Sequence, residues 1–179
     1  MKKILYFICA IIILISACNS SDKEQKYVPY TKNGLSFNLP KYWKVKKDRS
    51  IDGVANSRFI SISDEEPFSK DAYLIITSMD SVSLDKTLQN LIQQSRASYV
   101  KRNIEFGMLN EPKAVKIGKH EVLKADFETR IIATRNRGSL AVLHYKEKTF
   151  CFVSSVNTKD KKANFSVADS VIKSLQCKN

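Results

Sequence analysis

Between Glu121 and Val156 the chain contains four β-branched and aromatic segments, Glu121–Phe127, Thr129–Thr134, Leu140–Tyr145 and Thr149–Val156, separated by only a few residues each. A parallel return needs a crossover of a dozen or more residues, so consecutive strands this close together must pair antiparallel. Upstream, Leu35–Leu39, Trp43–Val45, Arg58–Ile62 and Tyr73–Thr77 have the same strand character. Asn136-Arg137-Gly138 is expected to supply a turn in which the glycine takes positive φ, and Lys146-Glu147-Lys148 a short polar connection.

Two segments carry helical spacing instead. Leu84, Leu88, Leu91, Ile92 and Tyr99 line one face, with Ser83 placed to cap the start, Asp85 near the positive end of the dipole, and Lys101 and Arg102 near the negative end. A second helix is expected from about Lys159 to Gln176, with Phe165, Ala168, Val171, Ile172 and Leu175 on one face and Thr158 as its cap. A helix with a single apolar stripe must lay that stripe on a sheet. The fold class is therefore α+β, a mainly antiparallel sheet with helices packed on it. A chain of 179 residues with 43% apolar and 9% aromatic side chains leaves room for one such domain.

The N-terminus has a different character. Met1-Lys2-Lys3 is followed by the unbroken apolar run Ile4 to Ile15 and then by Ser16-Ala17-Cys18, the order of charge, hydrophobic stretch and small residues found in a signal peptide. The run is shorter than the ~18 to 20 residues needed to cross a bilayer as a helix, so it is expected to be an address rather than a permanent span. Ile15-Ser16-Ala17-Cys18 resembles the lipobox of bacterial lipoproteins. The resemblance implies cleavage after Ala17, a diacylglyceryl (palmitate-type) modification of Cys18, and attachment to the membrane through that lipid. A secretory signal with Cys18 incidental is the alternative. Asn19 is not the Asp associated with inner-membrane retention, which favours the outer membrane in a cell that has one. The expected organisation is a signal peptide over 1–17, a lipidated Cys and flexible tether over 18–33, and a globular domain over 34–179. With a reach of ~5 to 6 Å times the square root of its length, such a tether would hold the domain about 20 Å from the lipid.

At the start of that domain stands Gly34-Leu35-Ser36-Phe37-Asn38-Leu39-Pro40-Lys41-Tyr42-Trp43-Lys44-Val45. It resembles the opening of PsbP-like domains, including DcrB-related bacterial lipoproteins: a glycine, an aromatic-bearing strand, a proline turn, then Trp and a branched residue. The order of elements that follows is similar over nearly the whole remaining chain. The resemblance implies an α/β/α sandwich and a non-catalytic binding or accessory module. It transfers no ligand residue to this sequence.

Candidate chemistry is sparse. Cys151 and Cys177 are the thiols left once Cys9 is removed and Cys18 is acylated, and in an oxidising envelope an even pair could form a disulfide; two free thiols, with Cys151 in the core, are the alternative. If residues summing to 295 faced each other across the Lys146–Lys148 turn, His144 and Cys151 would be cross-strand neighbours, as a thiolate nucleophile requires. No oxyanion donor or orienting carboxylate accompanies them. His120, after Gly118-Lys119, reads as a solvated loop residue. Asp64-Glu65-Glu66 lacks the alternating ligands of a calcium loop, and no zinc spacing is present, so neither metal nor cofactor is expected.

Thirty Lys and Arg against 18 Asp and Glu give a net charge of +12. The basic groups gather at Lys41, Lys44, Lys46, Lys47 and Arg49, at Arg130, Arg135 and Arg137, and at Lys159, Lys161 and Lys162. A solvated basic face accounts for them, and so does attraction to an anionic partner: an acidic protein, a glycan or lipid headgroups. Nucleic acid fits the charge but not the compartment. Tyr42 and Trp43 are expected to serve the turn and the core rather than to stack on bases. The sequence thus points to a lipid-anchored, extracytoplasmic, monomeric binding module without catalysis. The competing expectation is a small-molecule-binding or weakly hydrolytic protein using a cleft between helix and sheet. A deep pocket with convergent polar groups would favour the latter, and a basic face beside exposed apolar side chains the former.

Overall fold

The structure is a computed structural model that describes residues 27–65, 72–159 and 166–177. The signal segment, Cys18, most of the expected tether, Phe165, Lys161 and Lys162 lie outside the described residues.

Folded structure is already present at Tyr27–Lys32, ahead of Gly34. Strand β1 (Tyr27–Lys32) pairs antiparallel with β2 (Leu35–Pro40), and Lys32 faces Leu35 across a two-residue turn. Asn33 and Gly34 in that turn have φ of 47° and 74°, the conformation an Asn-Gly hairpin turn adopts without strain. The polar composition and Pro29 hide the strand. β1 is an edge strand with mostly exposed side chains, the place where a sheet tolerates proline. Tyr30 is held by Phe37, their ring centroids 5.0 Å apart.

Strands β3 (Trp43–Arg49), β4 (Arg58–Asp64) and β5 (Tyr73–Asp80) follow, then helix α1 (Leu84–Val100), β6 (Glu105–Met108), β7 (Lys113–Ile117), β8 (His120–Ile131), β9 (Thr134–Tyr145), β10 (Lys148–Asn157), helix α2 (Val167–Ser174) and β11 (Gln176–Cys177). The larger sheet has the order β3-β4-β5-β10-β9-β8-β6, with β7 also on β8, and all its pairs are antiparallel. The smaller sheet is β1-β2-β11. The expected α+β architecture is present.

Each face of the large sheet has its own core. On one side Phe37, Leu39 and Trp43 join Ile62, Phe150 and Phe152 beneath the small sheet and Val167, Val171 and Ile172 of α2. On the other, Leu88, Ile92 and Tyr99 of α1 cover Phe127, Leu140, Val142 and Cys151. Burying a side chain of this size contributes about 1.5 to 3 kcal/mol, so the alternation along β9 and β10 commits one set of residues to each layer. Trp43 is buried and Tyr42 exposed, as the Pro-turn reading requires. Ser83 makes no side-chain cap bond; instead Thr87 Oγ1 donates to the Ser83 carbonyl. Thr158 bonds the Arg135 carbonyl and caps no described helix.

The expected turn at Asn136-Arg137-Gly138 is not there. β8 is one continuous strand through the Glu121–Phe127 and Thr129–Ile131 segments, and Asn136, Arg137 and Gly138 lie inside β9, facing Thr129, Glu128 and Phe127. The chain reverses at Ile132 and Ala133. Gly138 is required for another reason: a Cβ there would collide with the Ser154 carbonyl oxygen and the Phe127 ring. The glycine permits close approach, not positive φ.

Candidate functional site

An open cleft of about 860 Å³ lies at one end of the large sheet, where the small sheet leans over the ends of β3, β4 and β10. It lies between sheet and sheet, not between helix and sheet as expected. Its charged lining is Arg49, Arg58, Lys146 and Lys148 against Asp48 and Glu147. The β9–β10 turn supplies Lys146 and Glu147, and the first residue of β10 supplies Lys148, because Lys146, at φ 55°, reverses the chain beside the cleft.

The built part of the cleft is the Asp48–Arg58 pair. Arg58 donates from Nε to Oδ1 at 2.8 Å and from Nη2 to Oδ2 at 2.7 Å, a two-pronged contact between neighbouring strands. The Tyr30 hydroxyl donates to the same carboxylate, and Lys32 Nζ lies 3.5 Å away. The Asp48 side chain is only 7% exposed. The Arg58 hydrogen bonds hold its carboxyl down at about 2 against the opposing effect of burial. Burial, reinforced by the carboxylate, pushes Tyr30 up to about 12. The hydrogen bonds to Asp48 raise Arg58 as well. Lys148 Nζ donates to the Asn56 carbonyl at 2.7 Å, and Ser57 Oγ, accepting from Ile51 N and donating to the Val54 carbonyl, holds the β3–β4 loop in shape. The cleft thus has a mostly cationic rim around a neutralised ion pair, suited to holding an anion.

Arg58, Asp48 and Tyr30 were absent from the sequence-based candidates. The signal for Tyr30 was the Asn33-Gly34 turn, which makes 27–32 a strand. No local pattern marks Asp48 and Arg58, which meet only through the β3–β4 register.

The predicted residues scatter. Arg130, Arg135 and Arg137 do come together: they surround Glu128 at 3.7, 3.2 and 3.8 Å, at the far end of the sheet from the cleft. Lys41 lies over the Tyr42 ring at 5.4 Å, Lys46 pairs with Glu65, and Lys44 and Lys47 are exposed along β3, which occupies the opposite edge of the large sheet.

The expected pairing of His144 with Cys151 fails on register. His144 faces Thr149, and Cys151 faces Val142. His144 Nδ1 lies 3.1 Å from Ser81 Oγ and 3.2 Å from Thr149 Oγ1, while Cys151 is buried under α1 with its thiol pushed up by that burial. Cys151 and Cys177 are both free. Cys177 packs on the opposite core from Cys151, so the large sheet separates the two thiols. Its pKa is also raised, chiefly by burial.

His120 is not a loop residue. It opens β8 at 4% exposure, edge-on to Tyr145 at 4.8 Å between ring centroids, with Nε2 buried and unpartnered. Burial, helped by Lys119, keeps its pKa below the usual histidine value. No cluster of His, Cys, Asp or Glu among the described residues could hold a metal ion.

The chain has the PsbP-like fold. It superposes on the solution structure of cyanobacterial PsbP (CyanoP) from Synechocystis sp. PCC 6803 with a TM-score of 0.60 at 12% identity, covering 89% of this chain and 96% of that one. LpqN, involved in cell envelope biogenesis of Mycobacterium tuberculosis, matches with a TM-score of 0.52 at 10% identity, covering 86% and 91%. A crystal structure from Bacteroides thetaiotaomicron VPI-5482 matches with a TM-score of 0.54 at 15% identity; the alignment covers 86% of this chain but only 49% of that one. No family model matches the sequence, and no curated protein does. Among the described residues no helix is long and apolar enough to cross a membrane.

Proposed function

We propose that this protein is a non-catalytic accessory module of the bacterial cell envelope, held to a membrane by lipid on Cys18, that binds a small anionic ligand in the cleft beside Arg58. The observation that carries the binding role is the cleft itself. Its volume, about 860 Å³, lies within the range of small-molecule sites, and its cations outnumber its carboxylates. Its one thiol, Cys177, is a poor nucleophile because burial raises its pKa, and neither His120 nor His144 lines the cavity. That favours binding over turnover. The likeness in fold to an envelope-biogenesis protein and the lipobox-like Ile15-Ser16-Ala17-Cys18 support the envelope assignment.

Two measurements test this. Metabolic labelling with a radiolabelled fatty acid should mark the protein and fail on Cys18→Ala; an unmarked chain whose Cys18→Ala form is processed normally removes the anchor. Titration with inorganic phosphate, followed by amide chemical shifts, should move Ser57, Arg58 and Lys146 through Lys148 together. The response should vanish in the Lys146→Gln/Lys148→Gln variant. Shifts spread evenly over the surface lysines would reduce the cleft to an ordinary basic surface.

A further inference from the structure

The β8–β9 hairpin ends in an apolar tip that no other described residue covers. Ile132 is 98% exposed and Ile131 42%. Ile132 also has φ 47°, a left-handed conformation that glycine or asparagine adopts readily and a β-branched residue does not. The apex therefore holds an isoleucine where neither packing nor backbone geometry asks for one. Behind the tip stands the collar of Arg130, Arg135 and Arg137, three guanidiniums sharing the single carboxylate of Glu128, with Glu105 facing Arg130 from β6. Their side chains are about half exposed, at 48, 47 and 56%.

The ribbon is built to project. The β10 pairing stops at Asn157 opposite Asn136, and the β6 pairing stops at Glu105 opposite Arg130, so among the described residues Ile131 to Thr134 have no lateral strand on either side. We propose that this end docks on an anionic lipid bilayer, with Ile131 and Ile132 entering the acyl boundary and the three arginines pairing with lipid phosphates. Apolar side chains at a tip with guanidiniums just behind them match the depth order of a bilayer interface, hydrocarbon first and phosphate above it. An acidic protein surface would satisfy the arginines but would leave an isolated, strained Ile132 without a reason.

The register also sets the orientation. One row of neighbours runs across the sheet from Lys44 through Ser63, Tyr73 and Ser155 to Gly138. Trp43, next to Lys44, connects through a short turn to Pro40, which faces Tyr27. The described chain therefore starts at the same end of the molecule as the Ile132 tip, and the cleft lies at the other. β9 runs from Thr134 beside the tip to Tyr145 in the cleft wall, about 35 Å at 3.3 to 3.4 Å per residue. A bilayer under the tip would leave the cleft facing away from the membrane. Only the benefit of this arrangement rests on the Cys18 anchor; the hairpin contact itself does not.

The full chain, reconstituted into vesicles of phosphatidylglycerol and acyl-brominated phosphatidylcholine, provides the test. The indole introduced by Ile132→Trp should be quenched by the brominated chains, and that introduced by Glu147→Trp in the cleft turn should not. Trp43 is buried and contributes the same background to both. Ile131→Trp serves as a second reporter should the first distort the hairpin. Adding Arg130→Gln, Arg135→Gln and Arg137→Gln should weaken docking by about fivefold per charge, and phosphatidylcholine without the anionic lipid should do the same. Equal quenching at positions 132 and 147, none at 131 or 132, or quenching indifferent to the three charges overturns the proposal. The Cys18 labelling result is read separately, so either idea can fail alone.

Discussion

The two ends of the large sheet handle charge in opposite ways. At the cleft end the Asp48 carboxylate is shielded from water and matched by Arg58, Tyr30 and Lys32. At the hairpin end three half-exposed guanidiniums share Glu128, whose own side chain is 18% exposed. A shielded pair is a fixed piece of architecture, costly to break because removing one member strands the other charge away from water. An exposed cluster is screened by salt, contributes little to the fold, and leaves its surplus charge available to another anion. Gly138 marks the border between the two regimes. From Ser139 to Leu143 every β9 residue is buried, while on its other side Thr134 to Arg137 lie at least partly in water.

The largest effect should come at that border. Gly138→Ala drives a methyl into the Ser154 carbonyl and the Phe127 ring, and should cost about 4 kcal/mol in denaturant unfolding. A loss below about 1 kcal/mol would mean the ribbon relaxes and the border is soft. Next, Arg58→Met should cost about 3 kcal/mol at neutral pH by stranding Asp48. The pH dependence sharpens the point. Because folding lowers the Asp48 pKa from 3.8 to about 2, its contribution is fully present above the unfolded value and is lost as pH falls through the folded one. About 2 kcal/mol should therefore disappear between roughly pH 4 and pH 2, and Asp48→Asn should flatten that part of the acid unfolding profile.

Smaller effects belong to the hairpin end. Ile132→Gly should raise stability by about 1 kcal/mol, since it relieves the left-handed strain and gives up no packing. If thermal unfolding shows a loss instead, the tip makes a contact that its exposure conceals. Smallest of all, Arg135→Gln should change stability by less than about 0.5 kcal/mol, and less still at high salt. A larger, salt-resistant loss would show the exposed cluster to be as structural as the Asp48 pair, and the contrast between the ends would fall.

How far these features were legible varies with the range of the contact involved. Helix α1 was readable because its five apolar positions lie within one element, and β2, β4 and β5 because their alternation does too. The hairpin turn was misplaced because Gly138 is the obvious local signal, whereas its role is set by Ser154 and Phe127, distant in sequence. His120 looked solvated beside Gly118 and Lys119 because nothing local shows that Leu175 and Tyr145 cover it. His144 and Cys151 looked adjacent because a shift of two in the residue sum exchanges Cys151 for Thr149. Arg130, Arg135 and Arg137 were found as a group, but their placement around one carboxylate, behind an exposed isoleucine pair, is a product of the β8–β9 register.

By itself, then, the sequence determined the antiparallel α+β class, the excess of basic charge and a lipobox-like N-terminus, since each depends on composition or on neighbours a few residues apart. Tertiary structure alone decided that Asp48 meets Arg58 at the cleft, that the two thiols lie on opposite faces, and that Ile132 stands at the tip of a projecting ribbon. The physical reason is the strand register: with a side-chain period of two, which residues share a face or a neighbour is settled only when the strands pair.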